Sequence, residues 1–255
     1  MPYPMTIFIA IYVTVVGLLF GSFFNVVGLR VPVGESVVHP PSRCGNCGTR
    51  LGAKDMVPVF SYMFSKGKCR HCGIKFSPIY PLFEAATGLL FLWMFLRFGL
   101  TGAAGLGLVL VSLCVIVTVA DLKYMLIPNK VLLFFAPILI VLRLAFMEAP
   151  WWHYGLGGLF GGGLILLIVL LTQGGMGMGD VKLFALCGFV LGIGPAVLAF
   201  MLACAFGTIV GVLLISFKIV QRRQPVPFGP WLALGTLIAY LYGTQIIGGY
   251  FSLIG

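Results

Sequence analysis

Six acidic residues occur in the whole chain: Glu35, Asp55, Glu84, Asp121, Glu148 and Asp180. Glu35 and Asp55 belong to one long polar stretch, and Glu148 to a short turn between apolar runs. Glu84, Asp121 and Asp180 instead stand at the ends of apolar runs. A carboxylate at or inside a bilayer is costly, so it is read first as functional. Taken singly, either aspartate has a plainer reading as a helix-end acid paired with Lys123 or Lys182. Taken together at one membrane face, they form an acid–base pair suited to peptide hydrolysis, one carboxylate activating water and the other holding a proton.

Four cysteines carry a second chemistry. Cys44-Gly-Asn-Cys47 and Cys69-Arg-His-Cys72 are two C-x-x-C knuckles separated by 21 residues, each followed by a glycine, Gly48 or Gly73. Four thiolates suit tetrahedral Zn2+, and a closed set of four protein ligands indicates a structural site. Free or redox-active thiols are the alternative, and His71 inside the second knuckle is an alternative ligand. Cys114, Cys187 and Cys204 lie in apolar runs, where a cysteine behaves as a small hydrophobe.

The elements that position these residues are membrane helices. Of 255 residues, 60% are hydrophobic and 9% charged, and the mean hydropathy is +1.12. A soluble domain carries roughly 25% charged residues. Eight apolar stretches, at about 5–29, 81–98, 102–120, 131–147, 154–171, 181–193, 196–217 and 231–247, approach or exceed the ~18–20 residues that span a bilayer. The expected fold is therefore an all-α polytopic membrane protein of about eight transmembrane helices. Residues 1–29 form the first helix, 30–80 a zinc-binding loop between helices 1 and 2, and 81–255 a seven-helix peptidase domain. The first stretch lacks a basic n-region and an A-x-A-like cleavage site, so it reads as a retained helix. Glycines and prolines punctuate the loop, which reads as turns and short strands. Gly157, Gly158, Gly161 and Gly162 give the fifth stretch a small-residue face for a closely approaching helix. Gln221–Pro230 reads as a stiff connection.

With eight spans, fourteen of the sixteen Lys and Arg residues fall on the side of the 30–80 loop, and only Arg97 and Arg143 on the other. The basic side is cytoplasmic, which places both termini outside. The net charge of +10 then reflects topology and anionic lipid, and calls for no nucleic acid. The four loop thiols would stay reduced in the cytoplasm, against a disulfide reading.

The run Val181–Ile193 is 13 residues, roughly 20 Å of helix against a hydrocarbon core of about 30 Å. As a short true span it recesses Asp180, and the preceding Gly174–Gly179 becomes irregular backbone lining a wet cavity. A re-entrant hairpin is the alternative, but it would put Lys218, Arg222 and Arg223 outside. Asp121 closes a helix and Asp180 opens one, so helix dipoles would place a shared proton on Asp121 and leave Asp180 as the base. Desolvation of the recessed Asp180 works in the opposite sense and would reverse the assignment.

Gly177-Met-Gly-Asp180 resembles the G-x-G-D signature of intramembrane aspartyl peptidases, and GMGMGDVKL the type IV prepilin peptidase version of it. Asp121-Leu-Lys-Tyr-Met-Leu-Ile-Pro128 is similar to that family's other aspartate motif. Gly21-Ser-Phe-Phe-Asn25, Arg30-Val-Pro32, the paired knuckles, Tyr80-Pro81-Leu-Phe-Glu84 and Pro227-Phe-Gly-Pro230 match in order, along nearly the whole chain. The resemblance implies a cytoplasmic-face peptidase that removes the basic leader of prepilins and pseudopilins after a glycine. It also implies methylation of the new N-terminal amine from S-adenosylmethionine, at the loop and Glu84. Glu84 as a helix-start acid is the plainer alternative. The rival functions are a proton-coupled transporter using the aspartate pair and a non-enzymatic pilus or secretion assembly factor with a zinc module.

Overall fold

The computed structural model describes residues 3–172, 176–221 and 226–254. Gly174 and Gly175 of the glycine run lie outside these, as do Arg222, Arg223, Gln224 and Pro225 of the connection. Among the described residues the helices are α1 (Tyr3–Arg30), α2 (Phe60–Phe64), α3 (Ile79–Phe98), α4 (Gly102–Tyr124), α5 (Asn129–Ala145), α6 (Trp151–Leu171), α7 (Met178–Leu191), α8 (Ile193–Ser216) and α9 (Gly229–Ile254). The eight long ones fall on the eight apolar stretches. Six of them, α1, α3, α4, α6, α8 and α9, are long and apolar enough to cross a membrane. The other two are shorter, 17 residues for α5 and 14 for α7. The chain is an all-α multi-pass membrane protein.

Two compact units divide it, Met1–Ala104 and Gly105–Gly255. In the first, α1 packs along α3 through glycines. A Cβ on Gly17 would lie 2.9 Å from Gly88 Cα, and one on Gly21 2.9 Å from Glu84 Cα. Backbones this close leave no room for a side chain, so larger residues there would force the helices apart. This seam puts Asn25 of α1 and Glu84 of α3 on neighbouring turns.

The polar segment between α1 and α3 holds two isolated bridges among the described residues, Arg43 with Arg50 and Lys68 with Lys75, rather than strands. Each closes a tight hairpin around one knuckle, and the two hairpins repeat at an offset of 25 residues. Leu51 N–H donates to Ser42 carbonyl as Phe76 N–H does to Gly67 carbonyl. Cys44 N–H donates to Thr49 carbonyl as Cys69 N–H does to Ile74 carbonyl. Gly48 (φ 68°) and Gly73 (φ 73°) supply the left-handed turn after each second cysteine, a backbone that side chains resist.

In the second unit α6 presents its glycine face to α7. A Cβ on Gly157 would collide with Gly188 carbonyl, and one on Gly162 would come within 2.9 Å of Ala185 Cβ. Backbone-to-backbone packing of this kind fixes the height of α7 in the bundle. The height matters because α7 begins with the G-x-G-D run.

Candidate active site

Asp121 lies in the last turn of α4 and is 6% exposed; Asp180 is the third residue of α7 and is 9% exposed. Each carboxylate is held by the backbone amide of a helix start. Gly177, the residue capping α7, donates its N–H to Asp180 Oδ2 at 3.2 Å, and Asp180 N–H returns to Gly177 carbonyl at 3.1 Å. Gly229, the first residue of α9, donates its N–H to Asp121 Oδ2 at 2.9 Å. The first N–H groups of a helix have no partner within it, so Asp121 satisfies a donor that α9 leaves open. A Cβ on Gly229 would sit 2.8 Å from that same oxygen. Only glycine brings the amide so close without pushing the carboxylate away.

The two aspartate motifs meet through their flanks. A Cβ on Gly179 would lie 2.8 Å from Ile127 Cβ, which joins the turn after α4 to the start of α7. Lys182 Nζ donates to Asn129 Oδ1 at 2.9 Å, pinning α7 to the first residue of α5. The carboxylates of Asp121 and Asp180 lie within electrostatic reach of each other. Among the described residues neither pairs with Lys123 or Lys182, so the plainer ion-pair reading has no support. Asp180 Oδ1 is buried without a hydrogen-bond partner from the described residues. A buried acceptor in that state is available to a donor from outside the chain, such as water or a peptide N–H.

The structure adds a second helix end to the dipole argument for unequal aspartates. Asp121 does close α4, but it also faces the N-terminus of α9 through Gly229, so both acids have a helix N-terminus beside them. Sequence reasoning missed Gly229 as a partner because 108 residues separate it from Asp121. The available signal was Pro227-Phe-Gly-Pro230, a glycine between prolines at a helix start.

The four sulfurs of Cys44, Cys47, Cys69 and Cys72 lie within 4.8 Å of one another, with Cys44 Sγ and Cys72 Sγ 3.7 Å apart. A tetrahedron with metal–sulfur bonds of about 2.3 Å places its sulfurs about 3.8 Å apart, so the cluster fits one metal ion. Two of the four thiols are biased towards thiolate, while Cys44 is shifted the other way. The Thr49 hydroxyl, 3.2 Å from Cys47 Sγ, and the Thr49 backbone lower the Cys47 thiol to about 6. The Ile74 backbone amide lowers Cys72 in the same way. His71 is exposed and outside the four-sulfur cluster.

Glu84 lies beyond the first turn of α3, so the helix-start reading does not apply to it. It is 9% exposed, accepts the Val59 N–H on Oε2 at 2.7 Å, and lines a cavity of about 580 Å³.

The structure therefore brings two buried aspartates, each held by a helix-start amide, together in a helical membrane bundle. Two family models match the chain. Residues 15–98 match the bacterial peptidase A24 N-terminal domain, and residues 108–212 the type IV leader peptidase family. A Bacillus subtilis protein named prepilin leader peptidase/N-methyltransferase is 40% identical over 238 residues, covering 93% of this chain and 96% of its own. A Pseudomonas aeruginosa protein of the same name is 31% identical over 276 residues, covering 94% and 92%. No solved structure matches. The chain belongs to the type IV leader peptidase family.

Proposed function

We propose that this protein removes the leader of type IV prepilins or pseudopilins with Asp121 and Asp180, and then methylates the new N-terminus. The observation that carries the peptidase reading is the pair of buried carboxylates, each fixed by a helix-start amide, with Asp180 Oδ1 unpartnered among the described residues. The ionised member takes a proton from water, whose oxygen attacks the scissile carbonyl. The protonated member stabilises the developing oxyanion, and a proton then passes to the leaving amine. The relatives are named as enzymes, which favours this reading over the transporter and assembly-factor ones.

The methyl donor is S-adenosylmethionine, in keeping with the relatives' names. The amine nitrogen attacks the donor's methyl carbon, the carbon–sulfur bond breaks, and a neutral thioether leaves. Glu84 is assigned to this step, receiving the proton that the amine gives up. The metal of the cysteine cluster is Zn2+, held by Cys44, Cys47, Cys69 and Cys72, and its contribution is to cross-link the two hairpins. The lysine and arginine asymmetry supports both termini outside, with the zinc module and the dyad facing the cytoplasm and anionic lipid.

The test uses membrane vesicles of both orientations, an added prepilin and S-adenosylmethionine, with products weighed by mass spectrometry. Inverted vesicles should give a product that is shortened at a glycine and one methyl group heavier than the trimmed chain. Cleavage by right-side-out vesicles alone would overturn the orientation, and an uncut prepilin in both would overturn the activity.

Gly229 supplies an independent check on the dyad geometry. Gly229→Val keeps the amide but places side-chain atoms against Asp121 Oδ2. A shift of order 1 Å at a reacting group costs about a hundredfold in rate, so leader cleavage should fall by roughly that factor. Steady-state cleavage assays measure it, and a valine variant within twofold of wild type removes Gly229 from the positioning of Asp121.

A further inference from the structure

The cavity in the first unit is built from the end of α1, the polar module and the start of α3. Two acceptors line it. Asn25 is 3% exposed; its Nδ2 donates to Tyr80 carbonyl at 3.1 Å, and its Oδ1 is buried with no hydrogen-bond partner among the described residues. Glu84 is a carboxylate nine-tenths buried, with no ion pair to any cation among the described residues. A buried acceptor without a donor and a buried anion without a cation are both costly. One kind of ligand satisfies both, a positively charged group that carries N–H.

The backbone holds Glu84 for that purpose. Val59 has φ 62° and ψ −53°, a conformation that β-branched residues resist. Phe60 N–H donates to Pro58 carbonyl at 2.6 Å, closing a γ-turn around Val59. The turn aims Val59 N–H at Glu84 Oε2, and strain of this sort concentrates at ligand clamps. Arg30, Arg43, Lys68 and Arg70 also line the cavity, and among the described residues none of them makes an ion pair with Glu84. Arg30 donates to Ser36 and Pro40 carbonyls, and Arg70 pairs with Asp55 at 3.1 Å.

We infer that Asn25 and Glu84 form an ammonium-binding pair inside the methyl-transfer pocket. This rests on the methyltransferase reading above and goes beyond it by assigning the pocket, its ligand chemistry and Asn25. The cavity, about 580 Å³, suits a nucleoside-sized donor, with Tyr62 and Phe76 among its walls. The ammonium is either that of the donor's methionyl end or that of the trimmed substrate's new N-terminus. Oriented there, the latter would lose its proton to the carboxylate before attacking the methyl carbon.

The experiment uses the full chain in detergent, with S-adenosylmethionine binding followed by calorimetry and methylation of a pre-trimmed pilin peptide followed by mass. Asn25→Leu removes the acceptor oxygen, while Glu84→Gln keeps an oxygen for Val59 N–H and removes the charge. Hydrogen bonds to charged groups predict a loss on the order of tenfold or more for each. A weaker donor Kd assigns the ammonium to the donor; an unchanged Kd with a raised KM for the peptide assigns it to the substrate. If both variants bind one zinc, melt as wild type does, and leave Kd and KM unchanged, the pair is overturned. A wild-type chain that neither binds the donor nor methylates the peptide overturns the methyltransferase reading itself, and this proposal with it.

Discussion

Asp121→Asn and Asp180→Asn should each reduce leader cleavage by roughly a thousandfold, within the range general acid–base groups contribute. Asparagine keeps the size and accepts the same amide, from Gly229 in one case and Gly177 in the other. What it removes is the proton chemistry, so the loss reports catalysis and not collapse of the site. The two single variants should be about as impaired as the double variant, because the carboxylates act as a unit. Methylation of a pre-trimmed peptide should continue in all three, since the proposed methyl pocket draws on the first unit alone. Mass analysis of both products decides the matter. Residual cleavage above a few per cent in either variant would take that aspartate out of the dyad.

Much of this was readable from the residues because lipid permits few solutions. A chain with 9% charged residues must place them at helix ends or in loops, so its six acids stand out. The eight apolar stretches became eight helices for the same reason, since backbone polar groups in hydrocarbon have to be paired within the segment. The glycine face of the fifth stretch was legible as a contact surface, and α7 is what lies against it. The knuckle spacing likewise anticipated a four-sulfur cluster.

What sequence could not supply were partners brought together by tertiary packing. Asp121 and Gly229 touch only because α9 starts beside the end of α4, and no periodicity encodes that meeting. Helix dipoles judged one segment at a time therefore left out the α9 N-terminus that faces Asp121. Val59 gave no warning either, since valine is a poor residue for a positive φ and local propensity argues against the turn it makes. The short strands expected in the loop reduced to single bridges because each knuckle turns back at once around its cysteines.

Stripping the metal should have its largest effect on the module between α1 and α3. Residues 42–51 and 67–76 are two hairpins, each held by a few backbone hydrogen bonds. Few buried side chains join them; Cys44 and Cys69 are themselves the buried apolar groups of both. A structural zinc of this type contributes apparent binding energy of about 10–16 kcal/mol, far more than the hairpins supply. Full-length protein purified without chelators should carry one zinc per chain, and Cys44→Ser or Cys72→Ser should carry much less. Hydrogen exchange across 42–76 should then approach the unprotected rate, while amides of α6 and α7 keep their protection. Donor binding should weaken along with the module, because the module holds Val59 against Glu84. Cleavage should fall far less than donor binding, since Asp121 and Asp180 take their hydrogen bonds from Gly229 and Gly177 in the other unit. Zinc retained at one per chain in both serine variants, or cleavage lost in step with donor binding, would overturn the division of labour between the two units.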